Sequence, residues 1–177
     1  NYKAHGGFRL DKSSNNIEVK MPIDAYLYSA SSYIESGERQ YMVDFMSNCG
    51  YLVKFDHLLK LTPELAAIFK AEIPDNGVND SRTTKFKTFK EFKAGELIAT
   101  EIGFKSPKNV GVDFGVYDLN APNESSKDPK WNNEYKMFGG TIFYGICWLD
   151  YLNSDDMKKV YSLKETGVEG NESDYCN

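Results

Sequence analysis

Seven short segments with the character of β-strands follow one another between about residues 17 and 118, and they restrict the possible folds more than any other feature of the chain. They are rich in Tyr, Val, Ile and Phe, and several alternate apolar and polar residues, as a strand with one buried face does. Turn sequences containing Gly, Pro or Asn separate them. The segments are residues 17–20, 25–34, 40–47, 51–58, 84–92, 96–104 and 110–119. Strands at this spacing predict a mainly β, sandwich or barrel-like domain of antiparallel strands.

One short helix is predicted to interrupt the strands. Thr62 is suited to the N-cap and Pro63 to the first helical position, where its missing N–H is not needed. The apolar residues Leu65, Ile68 and Phe69 recur at helical spacing. We therefore expect an inserted helix with one face packed on the sheet.

The pattern changes after residue 120. The polar stretch 120–136 predicts a loop leading into a short helix, and a later helix is predicted with Ser154 as its N-cap. The polar stretch 74–82, further upstream, predicts a surface loop. We expect residues 1–120 to form the β domain and residues 121–177 to form a C-terminal extension with helices, packed on the same domain.

Charge and composition exclude some partners. A net charge of -5 argues against nucleic acid, whose binding proteins concentrate Lys and Arg on one face. No apolar run approaches the roughly 20 residues of a transmembrane helix. Cys49, Cys147 and Cys176 do not make a disulfide framework, because one of three must stay unpaired, and Cys49 is predicted to lie in a hairpin turn. The Tyr-rich strands and the two Trp residues suit core packing or, alternatively, an aromatic surface for sugars.

His57 is one of only two histidines and lies in "YLVKFDHLLKL", residues 51–61. Two explanations remain open for it: a strand-end histidine that bonds a neighbouring carbonyl, or a functional imidazole that titrates near neutral pH. Asp56 precedes it, but neighbours on a strand point to opposite faces, so no role is predicted for Asp56.

Several motifs occur in the order found in a known enzyme family. They are "HGGF" from His5, "VKMPIDAYLYSA", "YMVDFMSNCGYLVKFDHL", "FKAGELIATEIGF" and "VGVDFGVYD". In this order the chain resembles the lysostaphin-like zinc endopeptidases over roughly residues 5–118. The resemblance implies a duplicated hybrid motif, also called a barrel-sandwich, and it implies zinc-dependent cleavage of peptide cross-links in bacterial cell walls.

The resemblance also places the family's site residues, and two of its three metal positions differ. His5 matches the first metal ligand, and His57 matches a histidine that assists the reaction. Arg9 replaces the ligand Asp, and Asp113 replaces the last ligand His. The resemblance therefore implies a degenerate site lined by His5, Arg9 and Asp113, in which Arg9 and Asp113 form a charge-assisted pair where zinc would lie.

Three functions follow as expectations. The first is a secreted or cell-envelope domain that binds peptidoglycan, a polysaccharide or an envelope protein without catalysis and without a cofactor. The second is an active metallohydrolase of peptidase type, in which His5, Asp11 and Asp113 ligate zinc and His57 assists. The third, by fold analogy alone, is a phosphoryl carrier that uses His57. The oligomeric state is not predicted.

Overall fold

The computed structural model describes residues 4–10, 14–106, 109–162 and 176. The protein is mainly β, with an antiparallel sheet curled into a half-barrel, which confirms the predicted fold class. The strands are β1 Gly6–Arg9, β2 Val19–Lys20, β3 Ala25–Glu35, β4 Glu38–Met46, β5 Tyr51–Leu61, β6 Asp75–Val78, β7 Thr84–Lys85, β8 Glu91–Phe92, β9 Leu97–Ile102 and β10 Gly111–Asp118. The helices are α1 Pro63–Glu72, α2 Pro129–Tyr135 and α3 Ser154–Tyr161, with short 3-10 turns between α2 and α3.

The sheet is built around β5. Its main path runs β1-β10-β5-β4-β3-β6, while β2 pairs with β9, and β7 and β8 pair with β3. One edge of β5 pairs with β4. The other edge pairs with β10 over residues 51–56 and with β9 over residues 58–61. The neighbour of β5 therefore changes between Asp56 and Leu58, at His57.

The hydrophobic core lies inside the curl of the sheet. Val43, Phe45 and Val53 project into it from β4 and β5 and are fully buried. Helix α1 covers this core with Leu65 and Phe69, which are also buried. Alternation along the strands explains the arrangement, because every second residue meets the same core.

Helix α1 begins where the sequence predicts. Thr62 occupies the N-cap position in an extended conformation, and Pro63 is the first helical residue. The Thr62 side chain makes no capping hydrogen bond, so the fixed φ of Pro63 and the packing of the apolar face define this end.

Two predictions upstream of residue 92 were wrong. The predicted strand 84–92 is two separate short strands, β7 and β8, because the backbone N–H groups of Lys87 and Thr88 donate to the Glu72 carboxylate and the chain turns there. Within the predicted loop 74–82, residues 75–78 form β6, which runs parallel to β3.

One helix cap also differs from the prediction. The N-cap of α3 is Asn153 and not Ser154, because the Asn153 side chain accepts hydrogen bonds from the backbone N–H groups of Asp155 and Asp156. The short helix predicted with the polar stretch 120–136 is α2, which lies at the end of that stretch, and Asp128 caps it by accepting from the N–H of Lys130.

The described residues after 120 contact both faces of the sheet. Ile142 belongs to a second buried cluster with Leu52 and Tyr117 on one face. On the other face, Trp148 packs edge-on against Phe8 and Phe114. The domain boundary at residue 120 stays a prediction.

Two of the three cysteines are bonded to each other. Cys147 forms a disulfide with Cys176, and Cys49 is a free, exposed cysteine in the turn between β4 and β5. Over the described ranges, no helix has the length and apolar character required to cross a bilayer.

Candidate functional site

One face of β1, β10 and β5 carries the predicted site residues. Gly7 lies opposite Asp113, and Asp113 lies opposite Asp56, so these three residues share a face of the sheet. Their neighbours along the strands, such as Phe55 and Phe114, point to the opposite, apolar face. We call the face that carries Gly7, Asp113 and Asp56 the polar face.

A β-bulge places His57 at this face. Between the pairs Val43–Phe55 and Tyr41–Leu58, β5 has one more residue than β4. His57 absorbs it with a left-handed backbone, at φ 62°, which costs a non-glycine residue about 1–2 kcal/mol. Because the alternation is broken at His57, its imidazole reaches Asp113, the cross-strand neighbour of Asp56.

Asp56 holds the bulge in place. Its Oδ1 accepts hydrogen bonds from the Tyr33 hydroxyl at 2.7 Å and from the His57 backbone N–H at 2.8 Å. Burial, together with the negative charge of Asp56, raises the pKa of Tyr33, which therefore stays a hydrogen-bond donor. The His57 carbonyl accepts from the Gly103 N–H at 2.8 Å, and the Phe104 ring lies 5.0 Å from the imidazole. The two hydrogen bonds hold the backbone of His57 in place, and the Phe104 ring packs against its imidazole.

His5 reaches the polar face just before β1 begins. A Cβ atom added at Gly115 would lie 2.8 Å from the Cβ of His5 and 2.7 Å from the Tyr117 hydroxyl. A Cβ at Gly7 would lie 2.6 Å from the Val112 carbonyl oxygen. Glycine at these two positions lets the N-terminal segment approach β10 closely enough for His5 to contact Asp113.

The structure brings His5, His57 and Asp113 together. His5 Nε2 lies 3.3 Å from Asp113 Oδ2, and His57 Nε2 lies 3.7 Å from the same oxygen. The histidine side chains are 16% and 14% exposed and that of Asp113 is 27% exposed, so the carboxylate is the part of the cluster most accessible to solvent. His5 Nε2 and His57 Nδ1 are buried and have no hydrogen-bond partner among the described residues. We call these three residues the His-Asp cluster.

The carboxylates of Asp56 and Asp113 are adjacent, but they have different partners. Asp56 and Asp113 lie directly opposite each other, and like charges in this position repel. Asp56 is buried and accepts from Tyr33 and the backbone, whereas Asp113 faces the two imidazoles. Asp56 therefore acts on the site through His57, while the partly exposed Asp113 carboxylate contacts both imidazoles.

The distances within the cluster bear on metal binding. Donor atoms around a tetrahedral zinc ion lie roughly 3.3 Å apart, since zinc–nitrogen bonds are about 2.0–2.1 Å long. Each imidazole nitrogen is close to this distance from Asp113 Oδ2. Within the described part of the chain, however, no group of three His, Cys, Asp or Glu side chains could hold a metal ion. The described residues thus do not supply a complete ligand set.

The remaining predicted site residues are Arg9 and Asp11. Arg9 is exposed and lies opposite Gly111, two positions from the Gly7–Asp113 pair and on the same face. Its predicted ion pair with Asp113 stays a prediction. Asp11, the third ligand of the metallohydrolase hypothesis, lies outside the described residues.

A second polar group continues the polar face toward β3. The Lys54 ammonium lies 2.9 Å from Asp44 Oδ1, and the Ser29 hydroxyl donates to Asp44 Oδ2 at 2.7 Å. Lys54 lies opposite Gly115 and therefore adjoins the His-Asp cluster. Because Asp44 is buried, its ion pair holds the Lys54 side chain in place on the polar face.

Sequence reasoning missed three residues that shape the site. Asp56 and Tyr33 were missed because the bulge that brings Asp56 to His57 has no signal in the sequence. Gly115 had one, since a glycine inside a strand often marks close approach of another segment.

Comparisons with family models, with curated proteins and with solved structures found no match to this chain.

Proposed function

We propose that the chain is a secreted or cell-envelope domain that binds peptidoglycan on its polar face without cleaving it. The observation that carries this proposal is the convergence of His5 and His57 on one carboxylate oxygen of Asp113, whose side chain is 27% exposed. The resemblance to cell-wall endopeptidases supplies the ligand class. A polysaccharide or an envelope protein is the remaining choice of ligand.

The chemistry of the cluster suits a polymer rich in amides and hydroxyls. Asp113 accepts hydrogen bonds, and each imidazole can donate or accept through a ring nitrogen. The bulge and the Asp44–Lys54 ion pair hold the polar face around these groups in one conformation. A polar face that is already ordered loses little conformational entropy when it binds a ligand.

The disulfide supports the proposed location. Disulfide bonds persist in secreted and envelope proteins and are rare in the reducing cytosol. The Cys147–Cys176 bond therefore favours an oxidising compartment.

Co-sedimentation with purified peptidoglycan tests the proposal. We expect the protein to pellet with the sacculi and Asp113→Ala to bind at least about tenfold more weakly, as loss of a central polar contact does. Asp80→Ala is the matched control, because Asp80 lies on the distant loop after β6 and pairs with Arg82. Unchanged binding by Asp113→Ala, or no binding by the unmodified protein, would contradict the proposal.

The same assay separates the ligands. Sacculi whose stem peptides have been removed with an amidase should no longer bind if the peptide is recognised. Binding that survives this treatment would identify the glycan strand as the ligand and exclude the peptide.

An active metallohydrolase is the second candidate function. It is favoured by the 3.3 Å between His5 Nε2 and Asp113 Oδ2, which is close to the separation of two ligands of one zinc ion. His5, Asp11 and Asp113 would ligate the metal, with His57 assisting. Metal analysis of protein purified without chelator decides: about one equivalent of zinc supports this function, and less than about a tenth of an equivalent rules it out.

A further inference from the structure

A cavity of about 650 Å³ lies on the apolar face, on the side of β5 and β10 opposite the His-Asp cluster. Its floor is formed by Val53, Phe55 and Ile102, which are 0%, 4% and 1% exposed. The size falls within the roughly 300–1,000 Å³ of small-molecule sites. The cavity is therefore large enough for a ligand and has a fixed base.

The walls of the cavity are apolar and only partly buried. They come from β1, from β10 and from residues 146–148. The wall residues include Phe8, Val112, Phe114, Val116, Ile146 and Trp148. Water in contact with such side chains costs about 25 cal/mol for each Å² of apolar surface. An apolar ligand would remove this cost.

The shape of the cavity suits a chain-like ligand. Its lining follows β10 from Val112 to Val116, a rise of roughly 13 Å at 3.3 Å per residue. Trp148 stands edge-on to Phe8 and Phe114 and encloses one side of this path. A long and narrow apolar molecule fits this space better than a broad one.

Charged lining residues occur at the solvent side. Glu18 and Lys20 flank the buried Val19 of β2, and both are exposed. The Lys20 ammonium lies 3.3 Å from the Glu18 carboxylate, and exposed ion pairs of this kind are weak. A ligand carboxylate could therefore replace Glu18 as the partner of Lys20 at little cost.

We propose that this cavity binds the acyl chain of a long-chain fatty acid, with the carboxylate at the rim beside Lys20. The apolar walls and the elongated lining select the chain, and the cation at the rim complements the carboxylate. The site is on the opposite face from the His-Asp cluster, so it does not depend on the proposed peptidoglycan binding.

Titration with a fluorescent polyene fatty acid tests the proposal. We expect saturable binding with a Kd in the range of about 1–10 µM, and competition by palmitate. Val116→Phe narrows the cavity along β10 and should weaken binding at least about tenfold. Val78→Phe is the matched control, because Val78 is 72% exposed on β6 and does not line the cavity.

Further variants separate the possible outcomes. His57→Ala should leave fatty-acid binding unchanged, which distinguishes this site from the His-Asp cluster. Lys20→Glu, an exposed change that spares the core, should weaken binding of the fatty acid severalfold but leave the corresponding fatty alcohol unaffected. It tests the site even if circular dichroism shows that Val116→Phe does not fold.

Three results would overturn the proposal. The first is absence of saturable binding by the unmodified protein. The second is equal binding by folded Val116→Phe, which would place the probe elsewhere on the surface. The third is an unchanged affinity of Lys20→Glu for the fatty acid, which would exclude the placement of the carboxylate.

Discussion

His57 has an unfavourable backbone conformation, and a single carboxylate compensates for it. Asp56 Oδ1 accepts from both the Tyr33 hydroxyl and the His57 N–H, so one buried oxygen satisfies two donors. Strained residues persist only where their surroundings hold them, and they are concentrated at functional sites. The bulge therefore connects the stability of β5 to the geometry of the His-Asp cluster.

Replacement of Asp56 tests this connection. Asp56→Ala should lower the free energy of unfolding by about 1–3 kcal/mol, because it leaves two donors without their acceptor. Asp56→Asn retains an acceptor oxygen and should cost less than Asp56→Ala. Urea unfolding of both variants gives the comparison, and equal stability of Asp56→Ala and the unmodified protein would show that Asp56 does not support the bulge.

Tyr33 predicts a specific loss of stability at high pH. Burial and the Asp56 charge raise its pKa in the folded state above the ordinary value of 10.0. Above pH 10 the unfolded chain therefore releases this proton while the folded protein keeps it, and stability falls as the pH rises. Below pH 10 both states hold the proton, and Tyr33 contributes no pH dependence.

The comparison of Tyr33→Phe with the unmodified protein measures this effect. Between pH 10 and pH 11 the unmodified protein should lose about 1 kcal/mol more of its unfolding free energy than the variant does. The other tyrosines titrate in both proteins and cancel in the difference. Equal losses in urea unfolding would contradict a raised pKa of Tyr33.

At the scale of elements, the contact between β1 and β10 depends on glycine. Gly7 and Gly115 give the N-terminal segment room to lie against β10, and His5 reaches Asp113 as a result. The turns and strands of the rest of the sheet were largely predictable, since alternation and turn residues encode them locally. β1 was not among the predicted strands because four residues containing two glycines have little strand propensity of their own.

A methyl group at Gly115 should disturb this contact. Gly115→Ala would place a Cβ within 3 Å of both the Tyr117 hydroxyl and the His5 Cβ, so we expect a loss of about 1–3 kcal/mol in unfolding free energy. Gly6→Ala is the matched control, because nothing lies within 4 Å of a Cβ there, and it should change stability by less than about 0.5 kcal/mol. Thermal unfolding of both variants decides, and an unchanged midpoint for Gly115→Ala would show that the segment can move aside.

Strand 84–92 shows why element boundaries were harder to predict than elements. The alternation of Phe86, Thr88 and their neighbours resembles one strand, but Glu72 binds the backbone at Lys87 and Thr88. Glu72 lies fifteen residues earlier, at the end of α1. A long-range contact of this kind is invisible to local periodicity.

At the scale of the whole molecule, a disulfide closes the C-terminal part of the chain. Cys147 and Cys176 are separated by 29 residues, and a loop of this length contributes about 2–4 kcal/mol to stability by restricting the unfolded chain. The sequence could not select this pair, because three cysteines allow three pairings.

Removal of the disulfide should destabilise the protein by that amount. Cys176→Ser should lower the free energy of unfolding by about 2–4 kcal/mol, and a reductant should have the same effect on the unmodified protein. Cys49→Ser is the control, because Cys49 is exposed and unbonded. Mass spectrometry under oxidising conditions checks the bond, and three free thiols would contradict it.

The sequence by itself determined the mainly β class and the position of α1, because strand alternation and a proline at the first helical position are encoded within a few residues. Only the tertiary structure decided that His57 leaves the strand alternation, that Asp56 and Tyr33 support it, and that an apolar cavity lies behind the His-Asp cluster. The first two features arise where β5 changes partner from β10 to β9. They depend on contacts between segments tens of residues apart, and local sequence patterns carry no record of such contacts.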